Sequence, residues 1–376
     1  MYQRIKKVIG LLAASLFLSF AIAGIPCMDS LAAQEKVNVV PTQGVLYTGN
    51  GAEIFAAADP TTLVAVFPGD IPVQVTGITS NGYFQILWEN VTYYVYGQAL
   101  SISTGTQAYK LTSIDARAAL VGDMNTGALI YSQNAIDRLA PASTTKLMTA
   151  LLVLEAVEQG RLSLDTPLIV SSSALATIPW DASHVTPKLK EGEVMNVMAL
   201  LECVLVKSDC HACNVLAEAV AGDEHTFAAM MTARAAQLGC VDTNFVNAHG
   251  YTAEGHYTNA YSLFLIMREV MKYPTFQSIV STPQIIIPAT NLTAERVIDS
   301  TDLCILPGAY YNPAVIGGKT GTTSAAGACF VGAASRNGKN VISVILGSGT
   351  RTMSDGSVKK QQFSETNKLL EIGLAN

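Results

Sequence analysis

Arg138-Leu139-Ala140-Pro141-Ala142-Ser143-Thr144-Thr145-Lys146-Leu147-Met148-Thr149-Ala150-Leu151-Leu152 is the stretch around which this chain is organised. An apolar run from Leu147 to Val157 follows the lysine, and Gly160 stands where a helix would end. The pattern predicts a helix with Ser143 in its first turn and Lys146 on the same face. There the helix N-terminus adds free backbone N–H groups and a positive field. A serine hydroxyl becomes a nucleophile only when a base takes its proton. A lysine can do this when burial or nearby cations lower its pKa. Taken alone, Ser-x-x-Lys reads as readily as a capping serine and a surface lysine.

Two polar islands further along bear on that choice. Val206-Lys207-Ser208-Asp209-Cys210 interrupts two apolar runs, predicted as helices over Met195–Val206 and His211–Val220. Ile316-Gly317-Gly318-Lys319-Thr320-Gly321-Thr322-Thr323 lies before a hairpin predicted around Asn337-Gly338. Lys-Thr-Gly on an edge strand offers a cation, a hydroxyl and a residue small enough for a substrate backbone to approach. That set suits a carboxylate beside an extended peptide. Each island alone has an ordinary reading, as a helix connector or a chance tripeptide.

Together they form an ordered set. Ser143 and Ser208 are 65 residues apart, and Lys319 follows after 111 more. Ser-x-x-Lys, a serine-centred triplet and Lys-Thr-Gly are the signature of penicillin-binding proteins and class A β-lactamases. From about Leu120 to Leu370 the chain resembles the D-alanyl-D-alanine carboxypeptidases of the low-molecular-mass penicillin-binding proteins. Leu189-Lys190-Glu191-Gly192-Glu193, Asn214-Val215-Leu216-Ala217-Glu218, Ala248-His249-Gly250 and His256-Tyr257-Thr258 add to the likeness.

The resemblance implies an acyl-enzyme on Ser143, with Lys146 as general base and Ser208 as proton relay toward the leaving D-alanine. Lys319 and Thr320 would hold the terminal carboxylate, with Arg351 a candidate helper and Gly321 and Cys210 bordering the substrate. The oxyanion would face the backbone N–H groups of Ser143 and Thr322. The implied substrates are peptidoglycan stem peptides, and β-lactams are the implied covalent inhibitors; no metal or cofactor is required. One position departs from the pattern. The family's triplet is Ser-x-Asn, but here Cys210 holds the third place, and a thiol is a weak hydrogen-bond partner. The next residue, His211, reads as a surface residue or as a partial substitute for the missing amide.

Alternatives stay open. A class A-like β-lactamase needs a deacylating glutamate after the second motif, and Cys240–Gly250 contains none. A wall-binding protein with weak catalysis is the non-enzymatic reading, motivated by Cys210 and by the SH3-like character of the N-terminal part.

The remaining sequence sets the context. The chain has 376 residues, 23 basic and 29 acidic, for a formal charge of −6; no basic patch invites nucleic acid. Arg4, Lys6 and Lys7 precede an apolar run from Val8 to Ile25, and small residues follow. This is the order of a secretory signal over residues 1–33, with an uncleaved anchor as the alternative. Export then places the protein outside the cytoplasm, in the cell wall or on the outer face of the cytoplasmic membrane, and attachment would come from the N-terminal side. The seven cysteines lie scattered in apolar segments, which suggests buried thiols. Cys210-His211-Ala212-Cys213 has neither a second C-x-x-C nor a βαβ context to make it a zinc or redox motif.

Residues 37–102 read as short strands, among them Thr62–Val66, Pro72–Val75, Tyr83–Trp88 and Thr92–Val95, with turns at Pro68-Gly69-Asp70 and Asn81-Gly82. This part resembles a bacterial SH3-like domain, whose implied role is holding wall peptide; a spacer barrel is the alternative. After a linker at Ser101–Thr106, the body spans 107–376. Its strands fall at both ends and its helices between them. The expected fold is α+β, an antiparallel sheet from the two chain ends covered by helices.

Overall fold

The computed structural model describes residues 39–48, 52–67, 72–79, 83–88, 90–96, 100–101, 114–352 and 358–374. The predicted signal segment, the linker beyond Ser101 and the turns at 68–70 and 81–82 lie outside these residues. The chain divides into two compact units, Met1–Ala108 and Tyr109–Asn376.

The first unit is an antiparallel sheet built from β1 (Val39–Thr48), β2 (Ala52–Phe55), β3 (Leu63–Phe67), β4 (Pro72–Thr79), β5 (Tyr83–Trp88), β6 (Val91–Tyr96) and β7 (Leu100–Ser101). Its order is β3-β2-β6-β5-β4-β1-β7. In β4 the side chains of Val73 and Val75 turn inward while Pro72 and Gln74 face out, the period-two pattern of a half-buried strand. Phe55 packs edge-on against Tyr83 with ring centroids 5.4 Å apart.

In the second unit, β8 (Ala118–Asp123) and β9 (Leu129–Gln133) lead to α1 (Lys146–Glu158). Then come β10 (Pro167–Ile169), α2 (Ser172–Ala176), β11 (Val194–Asn196), α3 (Val197–Val206), α4 (Cys210–Ala221), α5 (Glu224–Gln237), α6 (Ala260–Val270) and α7 (Pro274–Val280). The ribbon β12 (Gln284–Ile287) and β13 (Arg296–Asp299) precedes β14 (Val315–Thr323), β15 (Gly327–Arg336) and β16 (Lys339–Ser348). The short pair β17 (Thr350–Thr352) and β18 (Val358–Lys360) leads into α8 (Gln361–Leu374).

The main sheet runs β14-β15-β16-β8-β9, so the two chain ends do meet in one antiparallel sheet. Helices α6 and α8 pack against it, which makes the body α+β. The β15–β16 hairpin closes at Asn337 and Gly338, with φ of 52° and 79°. Both values are left-handed, as a primed two-residue turn requires. β14 is an edge of that sheet and carries Lys319-Thr320-Gly321, with Lys319 and Gly321 buried and Thr320 half-buried.

Asn196, Asp209, Asp223 and Asn259 each accept a backbone N–H at the start of α3, α4, α5 and α6. Helix α1 is buried on nearly every side, from Lys146 through Leu154. The helix predicted after Ser143 is therefore present, but Ser143 lies one step outside it. Ala142–Thr145 form a 3₁₀ turn, and the α-helix begins at Lys146. Pro141 and the left-handed backbone of Ala142 (φ 49°) bend the chain too sharply there for an α-helical first turn.

Candidate active site

The 3₁₀ turn is held from two sides by glycines. Gly250 (φ 84°) leaves room for the turn's carbonyl; a Cβ there would lie 1.9 Å from the Ala142 oxygen. Gly321 on β14 does the same for the Ser143 amide, since a Cβ would lie 2.9 Å from the Ser143 nitrogen. Behind the turn, His256 Nδ1 accepts the Val246 N–H at 3.1 Å, so its Nε2 carries the proton and donates to Thr145 Oγ1 at 2.9 Å. Burial lowers the His256 pKa to about 4, which keeps the ring neutral at ordinary pH. A left-handed alanine costs about 1 kcal/mol or more, and these contacts hold it in place.

Ser143 Oγ and Lys146 Nζ are 3.0 Å apart. The lysine is fully buried; Nζ also donates to the His249 carbonyl at 2.6 Å and approaches Cys210 Sγ at 3.4 Å. The His249 ring is fixed in turn. Its Nδ1 accepts the Tyr251 N–H at 3.1 Å and its Nε2 faces Glu224 Oε1 at 3.2 Å. Lys146 Nζ is thus aimed by a backbone oxygen that a buried histidine and a carboxylate keep in place.

Lys319 is the second buried amine, with Nζ donating to the Thr320 carbonyl at 3.0 Å. Burial, then the neighbouring Lys146 charge, lowers its pKa to about 7. Asp302 is nearby in charge terms; burial raises its pKa to about 7, which the Cys304 N–H and Lys319 partly oppose. The Thr320 hydroxyl is engaged with that of Thr301 at 2.8 Å.

Ser208 sits between α3 and α4 with φ of 68°, buried, its Oγ without a hydrogen-bond partner. Cys210 opens α4, and its backbone N–H is bonded to the Ser183 carbonyl at 2.9 Å. Cys210 and Cys213 are free thiols, and burial keeps the Cys213 thiol protonated. His211 corrects the surface reading. It is buried, with its Nδ1 unpartnered and 3.7 Å from Asp209 Oδ1, because α4 packs into the helical core instead of over solvent. Arg351 lies on β17 opposite Lys359, and its side chain is outside the described residues.

Ser143, Cys210 and Thr322 line one cleft of about 300 Å³. Asp181 to Ser183, Gly250 to Thr252 and Thr323 to Ala325 complete its walls. Thr252 and Thr323 meet across it through their hydroxyls at 2.9 Å. Lys146 and Lys319 lie buried behind the cleft, and Ser208 and Thr320 are not among its lining residues. Sequence reasoning flagged Ala248-His249-Gly250 only as a landmark and missed Asp181 and Tyr251, which lie in stretches without periodicity.

The family profile described as D-alanyl-D-alanine carboxypeptidase matches residues 104–350. The chain belongs to this serine peptidase family. It is 30% identical to D-alanyl-D-alanine carboxypeptidase DacF of Bacillus subtilis over 246 residues, covering 65% of this chain and 61% of that protein. It is also 30% identical to DacC of Escherichia coli over 268 residues, covering 71% and 63%. The chain thus spans about three fifths of the length of these two relatives. Among solved structures, it matches penicillin-binding protein D2 of Listeria monocytogenes in its cefotaxime-bound form with a TM-score of 0.58 and 30% identity, covering 69% of this chain and 98% of that one. It matches a D-alanyl-D-alanine carboxypeptidase of Mycobacterium tuberculosis with a TM-score of 0.62 and 26% identity, covering 73% and 96%. As a member of the family, the chain carries the penicillin-binding fold that its motif order suggested.

Proposed function

We propose that this chain is a serine-type D-Ala-D-Ala carboxypeptidase that removes the terminal D-alanine from peptidoglycan stem peptides. The observation that carries this reading is the 3.0 Å contact between Ser143 Oγ and buried Lys146 Nζ, opening on a cleft. Lys146 takes the serine proton as Oγ attacks the carbonyl carbon of the penultimate D-alanine. The oxyanion faces the backbone N–H groups of Ser143 and Thr322. Lys319 holds the terminal carboxylate, with Thr320 and Arg351 as helpers and Gly321 leaving room for the peptide. As the intermediate collapses, the proton passes from Lys146 by way of Ser208 to the leaving amine, and D-alanine departs. Water then attacks the ester, again with Lys146 as base. The N-terminal sheet serves as an SH3-like holder of wall peptide, and the charged, apolar and small-residue order of residues 1–33 supports export.

Intact mass after incubation with benzylpenicillin tests the reading. The expected result is one adduct on the mature protein and none on Ser143→Ala. No adduct with consumed drug would revive the β-lactamase reading. No adduct with intact drug would favour a wall-binding protein with weak catalysis, for which Cys210 is the motive.

A further inference from the structure

Acyl transfer itself makes no use of Glu224, the first residue of α5, yet the loop that aims Lys146 leans on it. From α1, Lys146 Nζ and Thr149 Oγ1 donate to two successive carbonyls, those of His249 and Ala248. The same two loop residues are held by Glu224. Its Oε1 accepts the Ala248 N–H at 3.2 Å and lies 3.2 Å from His249 Nε2. Its Oε2 accepts the hydroxyl of Thr177, at the end of α2, at 3.3 Å. Because His249 Nδ1 accepts the Tyr251 N–H, Nε2 carries the proton of the neutral ring and donates it to the carboxylate. Burial lowers the His249 pKa; the Glu224 hydrogen bond opposes that and the Lys146 charge adds to it. Burial also opposes ionisation of Glu224, but His249, the Ala248 N–H and the Thr177 hydroxyl outweigh it and hold its pKa below the ordinary value. The start of a helix favours the same negative charge.

We propose that Glu224 is a positioning residue for Lys146: by clamping the His249 ring, it fixes the carbonyl that aims Nζ at Ser143 Oγ. This deepens the carboxypeptidase reading and rests on it. A lysine amine is a point charge on a flexible stem, so its direction must come from its acceptors. Around Nζ, Ser143 Oγ at 3.0 Å is the group to be deprotonated, and the Cys210 thiol at 3.4 Å is a weak partner. The His249 carbonyl at 2.6 Å is the strong acceptor that takes no part in the reaction. Asn247 shapes the turn around it, its Oδ1 accepting the His249 and Gly250 N–H groups at 3.3 and 2.7 Å. Glu224 then ties that turn to α5 and to the end of α2. The carboxylate has a second effect. When Nζ takes the serine proton, positive charge builds on a fully buried amine. The Glu224 anion, bonded to the ring of the residue whose carbonyl holds Nζ, offsets it.

The test uses Glu224→Gln, which keeps the shape and a carbonyl acceptor but removes the charge. D-alanine release from Nα,Nε-diacetyl-L-Lys-D-Ala-D-Ala gives kcat and KM, and benzylpenicillin gives the rate of acylation alone. Glu224→Gln is expected to lower kcat and the acylation rate about tenfold, the difference between a charge-assisted and an ordinary hydrogen bond. KM should stay within about twofold, because the substrate touches neither Glu224 nor the His249 ring. In a His249→Asn background the same substitution should cost at most about twofold, since the ring it acts through is gone. An unchanged kcat in Glu224→Gln would overturn the assignment. So would a rise in KM as large as the fall in kcat, or a tenfold loss that persists without the ring. If wild type neither releases D-alanine nor takes up penicillin, the carboxypeptidase reading fails separately. The rate at which a fluorophosphonate labels Ser143 then replaces both readouts. Slower labelling in Glu224→Gln supports the positioning role, and an equal rate or no labelling overturns it.

Discussion

Cys210 occupies the place where the family's triplet has an amide, and its sulfur lies 3.4 Å from the Lys146 amine. A thiol aims neither the lysine nor a substrate peptide group well. Cys210→Asn is expected to raise kcat/KM toward D-Ala-D-Ala peptides by about tenfold, the worth of one good hydrogen bond. Steady-state kinetics against an acetylated tripeptide reads this directly. Lys319 makes the second prediction. Its pKa, lowered to about 7 by burial, makes it a cation below that pH and neutral above it. A carboxylate ligand prefers the cation, so kcat/KM for a free-acid peptide should fall as pH rises through about 7. The corresponding C-terminal amide should lack that descending limb. A pH profile of the two side by side decides it, because kcat/KM reports the free enzyme.

At the level of elements, the turn before β11 is tied to β13 by Glu193 and Arg296, both fully buried, at 2.8 Å. Arg296 also donates to the Pro187 carbonyl at 2.9 Å, which anchors the segment that carries Asp181. Removing one partner strands a buried charge. Glu193→Ala should therefore cost about 3–5 kcal/mol and lower Tm by about 10 °C, measurable by thermal unfolding. Burial opposes ionisation of Glu193, but Arg296 and Thr290 outweigh it and hold its pKa below the ordinary value. Its contribution is present above the unfolded pKa and lost as pH falls through the folded one, so acid should narrow the gap between wild type and variant.

The same elements show what the sequence could reveal. Helix starts were readable because Asn196, Asp209, Asp223 and Asn259 cap them locally. The Asn337-Gly338 turn was readable because two left-handed residues in a row need that chemistry. The ribbons β10–β11 and β12–β13, of three and four residues per strand, were not readable; their pairing is set by distant partners. Asp181 was invisible for the same reason. Its place in the cleft wall depends on facing Tyr251, 70 residues away, and neither sits in a periodic run.

For the molecule as a whole, the ordered motifs marked out residues that the fold does bring together, Ser143 beside Lys146 and beside Gly321 of the Lys-Thr-Gly strand, while the burial of His211 needed the packed structure. The sheet joining the chain ends also bears on how the unit is made. One edge of β8 stays open until β16 arrives, because Ala118 pairs with Leu346 and Asp123 with Val341. Folding dominated by such distant pairings is slow, in the millisecond-to-second range or beyond. Until then an apolar strand edge is exposed to other chains. A chain stopped after Arg336 would contain every residue that lines the cleft and should still be cleaved by protease as an unfolded polypeptide. During synthesis the cleft-lining residues are complete before the sheet that holds them in place can close.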